Sequence, residues 1–383
     1  MQSRPVKILI DLGAAVQCHG GLGRYAEELT RALLALNSGD DLRLFYNDPL
    51  GRFPAPPLDT LPRKVLGWSN KPWRMSAMLS AYTHVPLDSL LGQADVFHAT
   101  EHLMPRLRRM RSVFTLHDLA FLRFPEAHLP MNRWFLRIMM PFFLREADSI
   151  ITVSEYTKKD AIQTYGLDGS KVHVIPEGVD SRFRPVHDQV RLAAVRMRYH
   201  LPDRFILFVS TIEPRKNLIA LWEAYSALRS DGGAAKLVVV GRKGWLYQET
   251  MSRLRELRLE DDVVFPGYVA EEDLPVFYSL ADCFAFPSLF EGFGLTPLEA
   301  MACGCPVVSS NSSSLPEVCG NAAIMIDPVD VTGLTLALRR LLDDANLRAE
   351  LRDEGLKQAS RFTWDRAARK TLEVYRTTCE RSP

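Results

Sequence analysis

Cys283-Phe284-Ala285-Phe286, Glu291-Gly292-Phe293-Gly294-Leu295-Thr296-Pro297-Leu298-Glu299 and Val307-Val308-Ser309 follow one another closely in this chain. In order they read as a buried strand, a glycine-bearing loop, the opening of a helix and a second buried strand. Both apolar runs are continuous rather than alternating, as strands covered on both faces of a parallel sheet must be. Thr296-Pro297-Leu298-Glu299 has the form of a capping box with Pro at the first helical position, so a helix is expected to open at Thr296. A strand, a helix and a returning strand make the repeating unit of an α/β fold.

The same rhythm extends in both directions. Further strands are expected at 6–10, 95–98, 113–116, 149–153, 172–175, 205–210, 236–240 and 263–265, with helical patterns at 24–36, 155–164, 218–229, 248–257 and 334–341. It breaks over 180–203, a charged stretch holding Pro185 and Pro202, and restarts at 205. The reading is therefore α/β, with two doubly wound Rossmann-like domains facing a central cleft. The expected divisions are a domain over 1–184, a linker over 185–204, a second domain over 205–360, and a C-terminal helix within 361–383 packing back toward the first domain.

Composition narrows the classes. In 383 residues, 47 basic side chains balance 46 acidic ones, for a net charge of +1, so no general pull on nucleic acid is expected. A hydrophobic content of 47% and a charged content of 24% exclude a disordered chain or a coiled coil. Six cysteines, far apart except for Cys303 and Cys305, do not make a disulfide scaffold, and reduced thiols point to the cytoplasm. Cys303-x-Cys305 has no second pair at zinc-ligand spacing. The start of the chain is too short for a signal peptide, and no run of 18 apolar residues exists. The stretch 61–111 is basic and carries Trp68 and Trp73, while 131–147 is dense in Trp, Phe, Met and Ile. Together they suggest peripheral attachment to an anionic membrane, against the plainer readings of a solvated loop region and a buried helix.

Four places carry chemistry. Gly20-Gly21-Leu22-Gly23-Arg24-Tyr25 opens the first helix and would let backbone N–H groups approach a phosphate, without being G-x-G-x-x-G. His117-Asp118 follows a strand at the carboxyl edge, where His117 could meet a ligand hydroxyl or phosphate with Asp118 orienting it, or Asp118 could merely cap a turn. In Glu213-Pro214-Arg215-Lys216-Asn217, two adjacent cations at a strand-to-helix junction suit a diphosphate. In the opening stretch, Glu299 has a structural explanation in the capping box, whereas Glu291 sits ahead of it in a loop read as exposed.

Glu291-x7-Glu299 with Phe293-Gly294-Leu295 between resembles the signature of family 4 retaining glycosyltransferases of the GT-B fold. Gly20–Tyr25, Leu116-His117-Asp118, Val153-Ser154-Glu155, Ile175-Pro176-Glu177-Gly178-Val179-Asp180, Glu213–Asn217 and Glu299–Val307 follow in the family's order. Their forms are most similar to mannosyl- and deoxymannosyl-transferring enzymes of bacterial polysaccharide assembly. The resemblance implies that Gly21, Leu22, Lys216 and the Phe293-Gly294-Leu295 loop hold the donor diphosphate. Glu299 takes the ribose, Glu291 and His117 the donor sugar, and Tyr268-Val269 frames the base. It also implies a nucleotide-sugar donor, GDP-linked, no metal or other cofactor, and front-face transfer with retention. A saccharide acceptor is expected, and the basic stretch 61–111 with 131–147 adds the expectation that it is lipid-linked and presented at the inner face of the cytoplasmic membrane. Two departures stand out: Glu177 replaces a frequent Asn, and Ser210-Thr211 replaces Gly-Arg, so Arg215 is expected to supply the missing phosphate-binding arginine. Rival readings are a UDP-sugar-dependent transferase, a nucleotide-sugar epimerase, an NAD-dependent oxidoreductase and a non-catalytic carbohydrate-binding protein.

Overall fold

A computed structural model describes residues 4–17, 20–230, 232 and 235–380. Cys18 and residues 381–383 of the expected C-terminal helix lie outside them. The chain divides into two compact units, 1–122 with 130–178 and 363–383, and 123–129 with 179–362.

The first unit is built on seven parallel strands: β1 (Lys7–Asp11), β2 (Asp41–Asn47), β3 (Arg63–Leu66), β4 (Val96–Ala99), β5 (Arg111–Leu116), β6 (Ser149–Thr152) and β7 (Val172–Val174). They lie in the order β3-β2-β1-β4-β5-β6-β7. The second unit carries six: β8 (Phe205–Val209), β9 (Lys236–Val240), β10 (Val263–Val264), β11 (Cys283–Phe286), β12 (Val307–Ser310) and β13 (Ala323–Ile326), in the order β10-β9-β8-β11-β12-β13. Both are doubly wound sheets whose order reverses beside the first strand, at β1/β4 and β8/β11. Ligands of such sheets bind outside the carboxyl ends of the strands at that reversal.

Hydrophobicity places the central strands. Every residue of β4, β6, β8, β11 and β12 is buried. In the first unit Trp73, Phe97, Phe114, Met140 and Phe143 pack into one core, and truncating such an aromatic to Ala costs about 3–5 kcal/mol. Helix Pro130–Glu146 turns Phe135, Leu136, Met139, Met140, Phe143 and Leu144 into this core and accommodates Pro141 within it. The buried-helix reading of 131–147 therefore holds for most of its length, leaving Met131 and Trp134 exposed.

The expected linker is not one. Residues 189–198 form a helix (Gln189–Arg198) belonging to the second unit, its first turn capped by Asp188, whose carboxylate accepts from the N–H groups of Val190 and Arg191. Arg198 and Tyr199 both bond Asp273, at 2.8 and 2.9 Å. The division instead falls between Gly178 and Val179. Gly178 is required there by close approach: a Cβ would stand 2.2 Å from the backbone nitrogen of Trp364. Residues 363–380, holding helix Trp364–Glu380, group with the first unit. There Tyr375 bonds His98 and Thr378 bonds Ser149.

Candidate functional site

In the second unit, two loops at the carboxyl edge of the sheet, one after β8 and one after β11, meet. The first closes in a tight turn at Pro214–Lys216, followed by Asn217 in the left-handed conformation; the Asn217 amide donates to the carbonyls of Pro287 and Pro328. This delivers Arg215 and Lys216 to the second loop. Lys216 Nζ stands 2.6 Å from Glu291 Oε1, Arg215 Nη1 stands 2.9 Å from Glu291 Oε2, and Ser288 donates to Glu291 at 2.6 Å. The Glu291 N–H donates to Ser313, and Ser314 donates to the carbonyls of Glu291 and Phe293.

Glu291 is thus a buried, threefold-held carboxylate at 8% exposure, not the group of an exposed loop that the sequence suggested. Burial alone would raise its pKa. The charges of Arg215 and Lys216, with hydrogen bonds from Lys216 and Ser288, outweigh this and bring it down to about 2. Lys216, also buried, is pushed down by desolvation and by Arg215, against the pull of Glu291 and Glu213. Arg215 spends its fork on Glu213, Glu291 and the Phe290 carbonyl.

Gly294, at φ +126°, leads into helix Leu295–Ala302, and a Cβ on it would meet Leu315 at 2.9 Å. That helix corrects the capping-box reading: Gly294 is its N-cap, so Thr296 lies inside the first turn and cannot cap. Glu299 is buried in the helix and accepts from the Tyr278 hydroxyl at 3.2 Å. Phe293 packs its ring on Phe362, and Leu295 is half-buried. Tyr268 stands 87% exposed beside buried Val269.

In the first unit, His117 follows β5 and is buried. Its Nε2 lies 2.8 Å from the Thr100 carbonyl, which only accepts, so this nitrogen carries the proton; Nδ1 faces Glu177 Oε1 at 3.7 Å. Asp118 does not orient this ring. Its carboxylate accepts from the Ala120 N–H and caps the next turn. The ring of Tyr25 stands edge-on to His117 with centroids 4.7 Å apart. Behind it runs a buried chain of hydrogen bonds, Tyr25–Thr115–His98–Tyr375, at 3.0, 2.7 and 2.6 Å. Burial pushes His98 down to about 3, so it is neutral in this chain. Gly21 and Leu22 lie in the first turn of helix Gly20–Ala35, Gly21 exposed and Leu22 half-buried.

Within the second unit the structure joins Arg215, Lys216 and Glu291 directly. Within the first it joins His117 to the helix opened by the glycine motif, through Tyr25. Sequence reasoning gave no role to Ser288, Ser313, Ser314, Tyr278 or His98. The run of serines and Tyr278 carry no spacing signal, and His98 sits inside an apolar strand.

The model of glycosyl transferases group 1 matches residues 199–358, and that of Glycosyltransferase Family 4 matches residues 19–183. The chain belongs to this two-domain class of glycosyltransferases, of GT-B fold. It is similar to O-antigen chain mannosyltransferase B of Escherichia coli, 29% identical over 373 residues, covering 93% of this chain and 96% of that one. It is 34% identical over 275 residues to the serotype-specific mannosyltransferase WbdA of Escherichia coli, covering 69% of this chain but 33% of that protein. Sucrose-phosphate synthase from Thermosynechococcus elongatus shares the fold, with a TM-score of 0.75, 22% identity, and 98% and 99% of the two chains covered.

Proposed function

We propose that this glycosyltransferase moves a mannosyl group, with retention and without a metal, from a GDP-linked donor to a saccharide acceptor that is lipid-linked and presented at the cytoplasmic face of a membrane. The observation that carries the reading is the buried Arg215–Lys216–Glu291 cluster beside the glycine loop. There Lys216 and the N–H groups heading helix Leu295–Ala302 provide for a diphosphate, while Arg215, committed to Glu213 and Glu291, does not supply the phosphate-binding arginine expected of it, and a carboxylate held near pKa 2 stays ionised to accept sugar hydroxyls. The similarity to enzymes named as mannosyltransferases supports the sugar.

In this reading Lys216 and the loop stabilise the charge that develops on the leaving diphosphate, and Glu299 grips the ribose. His117, its tautomer fixed by Thr100, bears on the donor sugar. Catalysis is then positioning and preorganised electrostatics, with the donor's own phosphate taking the acceptor proton. Exposed Tyr268 offers a ring face to the base.

Support for the membrane comes from helix Asn70–Thr83, whose Met75, Leu79 and Tyr82 are 58%, 55% and 67% exposed at helical spacing. Of the basic stretch, Arg106 and Arg111 pair with Glu146 and Asp148, while Arg108 and Arg109 are exposed. Among the described residues no helix is long and apolar enough to cross a membrane.

The test is a panel of GDP-, UDP- and dTDP-sugars, read by thermal shift and by donor turnover with mannosyl acceptors. GDP-mannose consumption is expected; turnover of a UDP-sugar alone would refute the donor assignment.

A further inference from the structure

The backbone and the ring of His117 are held by different parts of the first unit. Its N–H donates to His102 Nε2 at 3.2 Å, and its carbonyl accepts from the Thr157 hydroxyl at 3.3 Å. The ring is fixed at Nε2 by the Thr100 carbonyl and walled by the Tyr25 ring, the two planes standing 89° apart. Edge-on aromatic contact is a directional one, so it serves His117 only while Tyr25 keeps its own orientation.

Tyr25 takes that orientation from helix Trp364–Glu380, at both ends of its side chain. Trp364 stands against the Tyr25 ring with centroids 6.0 Å apart. At the other end the Tyr25 hydroxyl bonds Thr115, Thr115 bonds His98, and His98 bonds Tyr375 of the same helix, 277 residues further along the chain. All four are buried, so water offers no substitute for a lost partner. A neutral imidazole donates from one nitrogen and accepts at the other, and burial keeps His98 neutral. The bonds therefore share one sense along the chain, and removing one hydroxyl leaves its neighbours unsatisfied. The helix also lies against the other neighbour of the ring. Glu177 faces His117 Nδ1 at 3.7 Å, and the adjoining Gly178 packs directly on the Trp364 backbone. Nothing in the transfer chemistry set out above uses Thr115, His98 or Tyr375.

We propose that Thr115, His98 and Tyr375 are positioning residues for transfer: through Tyr25 they set the His117 ring toward the donor sugar, so the C-terminal helix supports the reaction from behind the sheet. The assignment rests on the transferase reading, in which His117 bears on that sugar.

The test uses the full chain with GDP-mannose and a mannosyl acceptor, in wild type, Tyr375→Phe, Thr115→Val, Thr115→Ser, His117→Ala and the double variant His117→Ala/Tyr375→Phe. Tyr375→Phe and Thr115→Val each remove one hydroxyl at nearly constant volume. Both should lower kcat at least tenfold while the donor KM moves less than twofold. Thr115→Ser keeps the hydroxyl and should stay within threefold of wild type. The double variant should match His117→Ala within twofold, because residues acting through one another are non-additive. A kcat within twofold of wild type for folded Tyr375→Phe and Thr115→Val, whatever their melting temperatures, would overturn the proposal. So would a further tenfold fall in the double variant. Histidine-ring 15N NMR needs no donor: the His117 resonances should shift in Tyr375→Phe and Thr115→Val and return in Thr115→Ser. Unshifted resonances would overturn the positioning while leaving the transferase reading intact. Wild-type kcat in His117→Ala would instead refute the role given to His117, and the proposal with it.

Discussion

Glu291 is the residue whose loss should separate folding from chemistry. Its carboxylate has a pKa of about 2 against an ordinary 4.5, and each pKa unit is worth about 1.4 kcal/mol, so ionisation contributes about 3 kcal/mol of stability at neutral pH. Because the folded pKa is depressed, that contribution is complete above about pH 4.5 and fades as pH falls through about 2. Glu291→Ala also strands Lys216 and Arg215 in a buried setting, and breaking a buried pair costs about 3–5 kcal/mol. The expected outcome by urea denaturation at pH 7 is a loss of about 3 kcal/mol or more for Glu291→Ala and somewhat less for Glu291→Gln, with donor turnover abolished in both. The double variant Lys216→Met/Glu291→Gln removes both charges and should recover at least half of the lost stability, since contacting residues are non-additive, but none of the turnover. If Glu291→Ala unfolds like wild type, or if the double variant is no more stable than Glu291→Gln, the cluster is not the coupled unit that its geometry indicates.

Other perturbations follow from the same geometry. Glu299→Gln keeps a side chain able to accept from Tyr278 and should change stability by less than about 1 kcal/mol, yet weaken GDP affinity about tenfold through the lost charge-assisted bond; calorimetry showing equal affinity would return Glu299 to a purely structural role. Transfer should survive EDTA undiminished, and activity lost on chelation but restored by magnesium or manganese would contradict the claim that Lys216 and backbone N–H groups suffice for the diphosphate. The protein should co-sediment with anionic but not neutral vesicles, less so as salt rises. Met75, Leu79 and Tyr82 changed together to Ser should lower that binding, whereas unchanged sedimentation would detach the exposed stripe from the membrane.

The central strands were legible because burial on both faces demands continuous apolar runs, and all ten expected runs overlap strands. The three missed were marginal ones. Arg63-Lys64-Val65-Leu66 at one edge buries only its last residue, Ala323–Ile326 at the other edge is half-buried, and Asp41–Asn47 begins with exposed-looking alternation. The helix at 189–198 was hidden by its charges and by the flanking prolines. It buries one residue, Val195, and is tied to its unit by the Arg198–Asp273 ion pair, which has no periodic signature. At the site, residue types were readable and their environments were not. Arg215, Lys216 and Glu291 were singled out, but their mutual contact depends on Asn217 turning the chain and on Ser288, Ser313 and Ser314 pinning the loop. Thr296-Pro297-Leu298-Glu299 satisfied the capping-box pattern, yet Gly294, able to hold φ +126°, started the helix earlier and freed Glu299 to meet Tyr278.

The most direct measurement is the anomeric configuration of the first product, followed by NMR as the chain is mixed with GDP-α-mannose and a mannosyl acceptor in EDTA. The account predicts an α-linked mannoside formed in step with GDP release, and its absence in Lys216→Met. A β-linked product, or GDP release at the wild-type rate from Lys216→Met, would contradict transfer driven by the Arg215–Lys216–Glu291 cluster.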